Sequence, residues 1–327
     1  MDKLRLAVVG LGRHGSRYAH HAASDVDEIQ LRAICRRSAD AGKELAARLG
    51  CDFTDDASKL VRSSEIDAVV LVIPPRELEE LLPAALECGK RVLVEKPVAP
   101  DLESGRRILE VQRRKKGWCM AGQTLRFNSV CRAIRDSVPR VGRLDSLVFS
   151  QRFPPQPQLR WLDDPALSGG GNILHTGVHC FDLVRWLSDL EVESVSCFAR
   201  SVCTKKTEDS FVANLSLRGS DALAVVTCSR STHSRNGLIE ISGDKGQLIG
   251  DHVLGTLSFI GPDGVETLAP PAPSYTVLEI LRQFAKDAIN GTSPCISYGD
   301  GLAAVAIADA CYRSARSGMI EPVRALE

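Results

Sequence analysis

An apolar run, Leu4–Val9, ends at Gly10-Leu11-Gly12-Arg13-His14-Gly15 and gives way to His14–Ala23, which reads as a helix. This strand, GxGxxG, helix order constrains the fold more than anything else in the chain. Each glycine answers a different steric demand. One allows a tight turn, one lets backbone approach a pyrophosphate, and one lets helix pack on strand. The helix start then offers unpaired amide donors and the positive end of its dipole to phosphate. The segment predicts a dinucleotide site, with Gly10, Gly12, Arg13, His14 and Gly15 around the phosphates.

The same rhythm continues. Strands over Gln30–Cys35, Ala68–Ile73 and Arg91–Val94 alternate with helices over Ala39–Leu49, Glu77–Cys88 and Leu102–Lys116. Pro74-Pro75 stops one strand, and Gly89 ends one helix. Alternation of this kind predicts a doubly wound parallel sheet covered on both faces. Near Gly122 the character changes. Leu144–Arg152, Val192–Cys203, Phe211–Leu217, Ala222–Cys228, Leu238–Ser242 and Gln247–Gly250 read as strands. Helices are expected over Asn172–Leu187, Thr276–Asn290 and Gly299–Ser317, and a loop over Phe153–Gln158. A chain of 327 residues accommodates two domains. The expectation is an α/β protein with a Rossmann domain over 1–121 and an α+β domain over 122–327.

Composition excludes several alternatives. Lys plus Arg and Asp plus Glu both number 41, so no basic excess points to nucleic acid. No apolar run reaches the roughly 20 residues of a membrane span. Met1-Asp2-Lys3-Leu4-Arg5 has no apolar signal region. Eleven cysteines are scattered without CxxC or zinc spacing, which predicts free thiols, mostly small core residues, in a reducing cytoplasmic setting.

The end of the second strand should select the cofactor. NAD sites usually carry Asp or Glu there for the ribose hydroxyls. This chain instead reads Cys35-Arg36-Arg37-Ser38. Two guanidinium groups and a hydroxyl suit a 2′-phosphate, which Arg binds through charge-assisted hydrogen bonds. The reading is NADP in preference to NAD.

Two further motifs follow in order. Glu95-Lys96-Pro97 succeeds the strand Arg91–Val94, and Ser168-Gly169-Gly170-Gly171 opens the helix bearing His175, His179 and Asp182. Residues 175, 179, 182 and 186 are spaced four, three and four apart, so on an α-helix they share one face. With the glycine fingerprint, Pro74-Pro75, Arg126-Phe127 and Gly299-Asp300-Gly301, this order resembles the Gfo/Idh/MocA family, the relatives of glucose–fructose oxidoreductase and inositol dehydrogenase. The resemblance spans essentially the whole chain. It implies a dehydrogenase or reductase, a large open, mostly antiparallel sheet in the second domain, and a homodimer or homotetramer assembled on that sheet. It implies Lys96 between nicotinamide and substrate, commonly with a cis Lys96–Pro97 peptide, and cofactor contacts near Pro74 and Glu95. An ammonium there polarises a carbonyl or steadies an alkoxide. It implies His179 as acid/base, a role for which its ordinary pKa suits it. The substrate implied is a small sugar, cyclitol or related polyol entering between the domains.

The chain departs from the family twice. His175 stands where the family has Asp, so its role is open between substrate hydrogen bonding, an alternate base, and loss of the usual reaction. Two histidines four apart also admit a zinc site, although no third ligand beyond Asp182 is evident. After Pro74-Pro75 the usual Asn and His are Pro75 and Leu78. Arg126, Arg160 and Trp161 are substrate-contact candidates, with a structural ion pair the alternative for Arg126 and a surface loop for the other two. Two other functional classes remain on the same fold: a nucleotide-binding regulator without catalysis, and a glycosidase using held nicotinamide as an internal redox agent.

Overall fold

The computed structural model describes residues 3–156, 159–270 and 272–326. Met1-Asp2 and the last two residues of the Phe153–Gln158 loop lie outside them. The chain divides into two compact units. One comprises the N-terminal part to Thr124 plus Tyr275–Leu302, and the other Leu125–Ser274 plus Ala303 onward.

In the first unit the order is β1 (Leu4–Val9), α1 (Gly15–Ser24), β2 (Ile29–Cys35), α2 (Ala39–Leu49), β3 (Asp52–Thr54), α3 (Ala57–Arg62), β4 (Ala68–Leu71), α4 (Pro75–Glu87), β5 (Arg91–Glu95), α5 (Leu102–Lys115) and β6 (Cys119–Gly122). Six parallel strands lie in the order β3-β2-β1-β4-β5-β6. Leu6, Val8, Val69, Val70, Leu71, Val92, Leu93 and Val94 are fully buried. Each such side chain contributes roughly 1.5–3 kcal/mol. That burial explains why these strands read as continuous apolar runs. α4 begins at Pro75, two residues before the expected Glu77. Proline's fixed φ is preorganised for a first helical position, and Pro74 stays extended before it (φ −54°, ψ 143°).

The segment Tyr275–Leu302, which the sequence division assigned to 122–327, belongs to this first unit. It carries α9 (Thr276–Asn290), numbered after the elements of the second unit. Ala121 donates its N–H to Ile296 O, and Trp118 Nε1 donates to Thr292 O (2.7 Å) with its ring edge-on to Phe284. The return is made by contacts distant in sequence, so linear composition does not announce it.

The second unit holds α6 (Ser129–Ser137), β7 (Leu144–Arg152), α7 (Pro165–Ser168), α8 (Val178–Ser188), β8 (Val192–Arg200), β9 (Ser210–Leu217), β10 (Leu223–Ser229), β11 (Asn236–Gly243), β12 (Gly246–Asp251), β13 (Thr256–Gly261), β14 (Gly264–Thr267) and β15 (Glu321–Pro322). α10 (Tyr298–Ser317) enters it from Ala303. Nine strands run β14-β13-β12-β11-β7-β10-β9-β8-β15, antiparallel except for β7 against β10. Alternation buries Val195, Ala213, Leu215, Ala224 and Val226 on one face. On the other, Phe198 lies beside Val212 across β8 and β9, 75% and 43% exposed, and Leu223 is 61% exposed. All eleven cysteines are free thiols and seven are buried, which agrees with their reading as core residues.

Candidate active site

The glycine loop meets the steric demands read from its sequence. Gly10 has φ +94°, and a Cβ there would lie 2.1 Å from Val72 O. A Cβ on Gly15 would lie 1.8 Å from Gly10 O, so helix start and strand end touch. A Cβ on Gly12 would meet nothing within 4 Å. Two glycines are therefore demanded by the fold, and the third faces open space where backbone is approachable. α1 starts beyond this space with no side chain capping it. An open glycine at an uncapped helix N-terminus fits a dinucleotide pyrophosphate.

His14 and Glu95 do something the sequence did not reveal. The His14 ring donates from Nε2 to Glu95 Oε1 (2.9 Å), and Tyr18 donates its hydroxyl to the same oxygen (2.6 Å). Glu95 Oε2 accepts the Lys96 N–H (3.1 Å). The Glu95 carboxylate thus ties α1 to the Glu95-Lys96-Pro97 turn, and the Lys96–Pro97 peptide is cis. Burial alone would raise the Glu95 pKa. The His14 charge and hydrogen bond, the Lys96 charge and the Tyr18 hydroxyl outweigh it and hold the carboxyl below its usual range. Glu95, expected as a cofactor contact, spends its oxygens inside the protein.

At the end of β2, Arg36 is half-buried and Arg37 and Ser38 are exposed. Ser38 precedes α2 in an extended conformation without a side-chain cap bond. Arg37 pairs with Glu77 in the first turn of α4. Of the two arginines expected at a 2′-phosphate, Arg37 thus has a carboxylate partner from the helix after β4, which lies on the other side of β1 from β2. Pro74 is the residue before α4.

In the second unit the expected helix over Asn172–Leu187 divides. Ile173–Gly177 forms a π turn, and α8 follows directly. A π turn widens the helix, so the α-helical spacing used to align 175 with 179, 182 and 186 does not hold there; such insertions recur at functional sites. His175 is 3% exposed, donates from Nε2 to Ser168 O (3.0 Å), and meets the Trp161 ring edge-on at 5.2 Å. His179 lies half-buried in the first turn of α8. Arg126 makes a bidentate pair with Asp182 (Nε–Oδ2 2.8 Å, Nη2–Oδ1 2.7 Å) and lies 6.0 Å from the Trp186 ring. Of the two alternatives for Arg126, the structure has the ion pair, and the guanidinium is committed to Asp182. Trp161 packs against His175 instead of forming a bare surface loop; Arg160 is exposed on the same short turn. Among the described residues no group of histidine, cysteine and carboxylate ligands could hold a metal ion.

The π turn is held by residues the sequence did not single out. Glu208 accepts from Gly171 N (3.2 Å), Ile173 N (2.8 Å) and the Tyr312 hydroxyl (2.9 Å). A Cβ on Gly170 would lie 2.2 Å from the Tyr312 hydroxyl, and one on Gly171 2.0 Å from Glu208 O. Burial pushes the Glu208 carboxyl up despite these donors. Arg230 donates from Nε to Thr176 Oγ1 (3.0 Å), and burial lowers its pKa to about 10. Tyr312 lies 141 residues from Gly171, so no local motif marks the pairing.

A parallel sheet with an open glycine turn, followed by a strand-end lysine, defines a nucleotide-binding oxidoreductase of Rossmann type. Residues 4–123 match the model of an oxidoreductase family with an NAD-binding Rossmann fold, and residues 140–249 match the GFO/IDH/MocA C-terminal domain. The chain belongs to the GFO/IDH/MocA family of nicotinamide-dependent oxidoreductases. It is 27% identical to inositol 2-dehydrogenase of Rhizobium meliloti, covering 95% of this chain and 96% of that one. It is also 27% identical to myo-inositol 2-dehydrogenase of Thermotoga maritima, over the same shares. In fold it matches an oxidoreductase domain protein from Kribbella flavida (TM-score 0.90, 22% identity, 99% and 100% coverage). It also matches levoglucosan dehydrogenase in complex with NADH and levoglucosan (TM-score 0.90, 20% identity, 99% and 100% coverage).

Proposed function

We propose that the chain transfers hydride between NADP and a carbinol or carbonyl carbon of a sugar, cyclitol or related polyol. The observation that carries this reading is the Glu95-Lys96-Pro97 turn. Its lysine follows directly on β5, and its glutamate is locked to the glycine loop through His14 and Tyr18. That arrangement holds the backbone from which the Lys96 ammonium extends. The relatives named as inositol 2-dehydrogenases support the polyol class.

The phosphates would rest on Gly10, Gly12, Arg13, His14 and Gly15, with Pro74 nearby in the fold and Arg36, Arg37 and Ser38 holding the 2′-phosphate. Bound nicotinamide supplies a two-electron hydride acceptor or donor. Lys96 stabilises negative charge on the reacting oxygen. His179, in the first turn of α8, exchanges the hydroxyl proton. His175 is oriented by its donation from Nε2 to Ser168 O. Trp161 borders that imidazole, and it and Arg160, on the same short turn, would contact substrate. The unpartnered face bearing Phe198, Val212 and Leu223 supports assembly as a homodimer or homotetramer.

The test is a fluorescence titration with NADPH and NADH, followed by a panel of cyclitols and sugars with the tighter-binding oxidised cofactor. Appearance of reduced nicotinamide with a polyol supports the proposal. Nucleotide binding without turnover on any polyol overturns it. A second reading, a nucleotide-binding regulator, has one observation in its favour: His175, standing where the family resemblance implies a carboxylate, spends Nε2 on a backbone carbonyl.

A further inference from the structure

We propose that Glu77 is a specificity-determining residue whose carboxylate competes with the cofactor for Arg37, and so sets how strongly the chain prefers NADP to NAD. The inference rests on the nucleotide-binding reading above and goes beyond it.

The strands β2 and β4 are the two neighbours of β1 in the sheet. Arg37 stands two residues after the end of β2, and Glu77 is in the first turn of α4, which follows β4. Their ion pair therefore spans the carboxyl end of β1, the point from which Gly10–Gly15 leaves the sheet. Open parallel sheets bind nucleotides outside the carboxyl ends of their strands. The pair thus lies across the edge that an adenosine ribose must reach. Arg37 is 78% exposed and Glu77 33%, so the pair can exchange partners with a ligand at little cost to the fold.

The chemistry follows from charge. NAD-type sites place a carboxylate at the end of the second strand, and this chain has Arg36-Arg37 there instead. Glu77 restores a carboxylate to the same neighbourhood from 40 residues away. A 2′-phosphate must take Arg37 from Glu77 and also tolerate the nearby negative charge. A 2′-hydroxyl carries no charge and can donate to that carboxylate. Glu77 therefore works against NADP and not against NAD, while Arg37 does the reverse. The preference is the balance of two opposed side chains.

The experiment titrates wild type, Glu77→Gln, Arg37→Ala and the double variant with NADPH and NADH at low and high salt. Glu77→Gln should tighten NADPH about fivefold and leave NADH unchanged or weaker, the scale expected for removing one exposed competing ion pair. Arg37→Ala should weaken NADPH about tenfold and leave NADH within about twofold. In the double variant the gain from Glu77→Gln should shrink, because the competition needs Arg37. An NADPH-to-NADH ratio unchanged in Glu77→Gln, or both nucleotides shifting alike, overturns the inference while leaving the oxidoreductase reading intact. Failure of wild type to bind either nucleotide overturns both.

Discussion

Truncating Arg126 to Ala is the sharpest test of whether that guanidinium serves the fold or a substrate. It donates twice to Asp182, at 2.8 and 2.7 Å, from a site where the two side chains are 12% and 1% exposed. Removing one partner of a buried pair leaves the other charge uncompensated and costs about 3–5 kcal/mol. Loss of the Trp186 contact at 6.0 Å adds about 0.5–1 kcal/mol. Arg126→Ala should therefore destabilise the second unit by about 4 kcal/mol, and Asp182→Ala by somewhat less, because Arg126 keeps more access to water. The double variant Arg126→Met/Asp182→Val, which removes both charges with little change of volume, should lie within about 2 kcal/mol of wild type. Urea titration followed by tryptophan fluorescence measures all three. A loss below about 1 kcal/mol for Arg126→Ala, together with a tenfold or greater rise in KM, refutes the structural assignment and puts the guanidinium on the substrate.

Other expectations follow from the same geometry. Lys96→Met should lower kcat about 10²- to 10³-fold while the dissociation constants for NADPH and NADH stay near wild type, read by turnover and fluorescence in parallel. Gly15→Ala should cost about 3 kcal/mol, since its Cβ would sit 1.8 Å from Gly10 O; Gly12→Ala should keep wild-type stability and lose nucleotide affinity. Thermal melts and titrations separate the two. Glu95 and Glu208 should give opposite pH signatures in unfolding experiments. Glu95 titrates below its usual range, so its stabilisation is present above the ordinary carboxylate pKa and is lost as pH falls through the lowered one; Glu95→Gln should remove that acid-side slope. Glu208 titrates above its usual range, so wild type should lose stability relative to Glu208→Gln as pH rises from the ordinary value through the raised one.

Several features were legible without coordinates, for local reasons. The glycine turn, the strand runs from Leu4 and Ala68, and the lysine after β5 are read from residues within a few positions of one another, where steric demand and burial act directly on the chain. The return of Tyr275–Leu302 to the first unit was not legible, because it depends on Trp118 meeting Phe284 and Thr292. The π turn was not legible either. It is held from outside by Glu208 and Tyr312, whose hydrogen bonds reach Gly171 and Ile173 over 37, 141 and 35 residues.

By itself, then, the sequence determined the class of fold, the family and the steric form of the glycine turn, since glycine sterics and β/α periodicity are properties of short segments. Tertiary structure decided what the charged groups are bound to. It gave Arg126 to Asp182, Glu95 to His14 and Tyr18, and Arg37 to Glu77. The physical reason is that a charge is satisfied by whichever counter-charge or donor the fold brings within hydrogen-bond reach, and those partners come from distant parts of the chain.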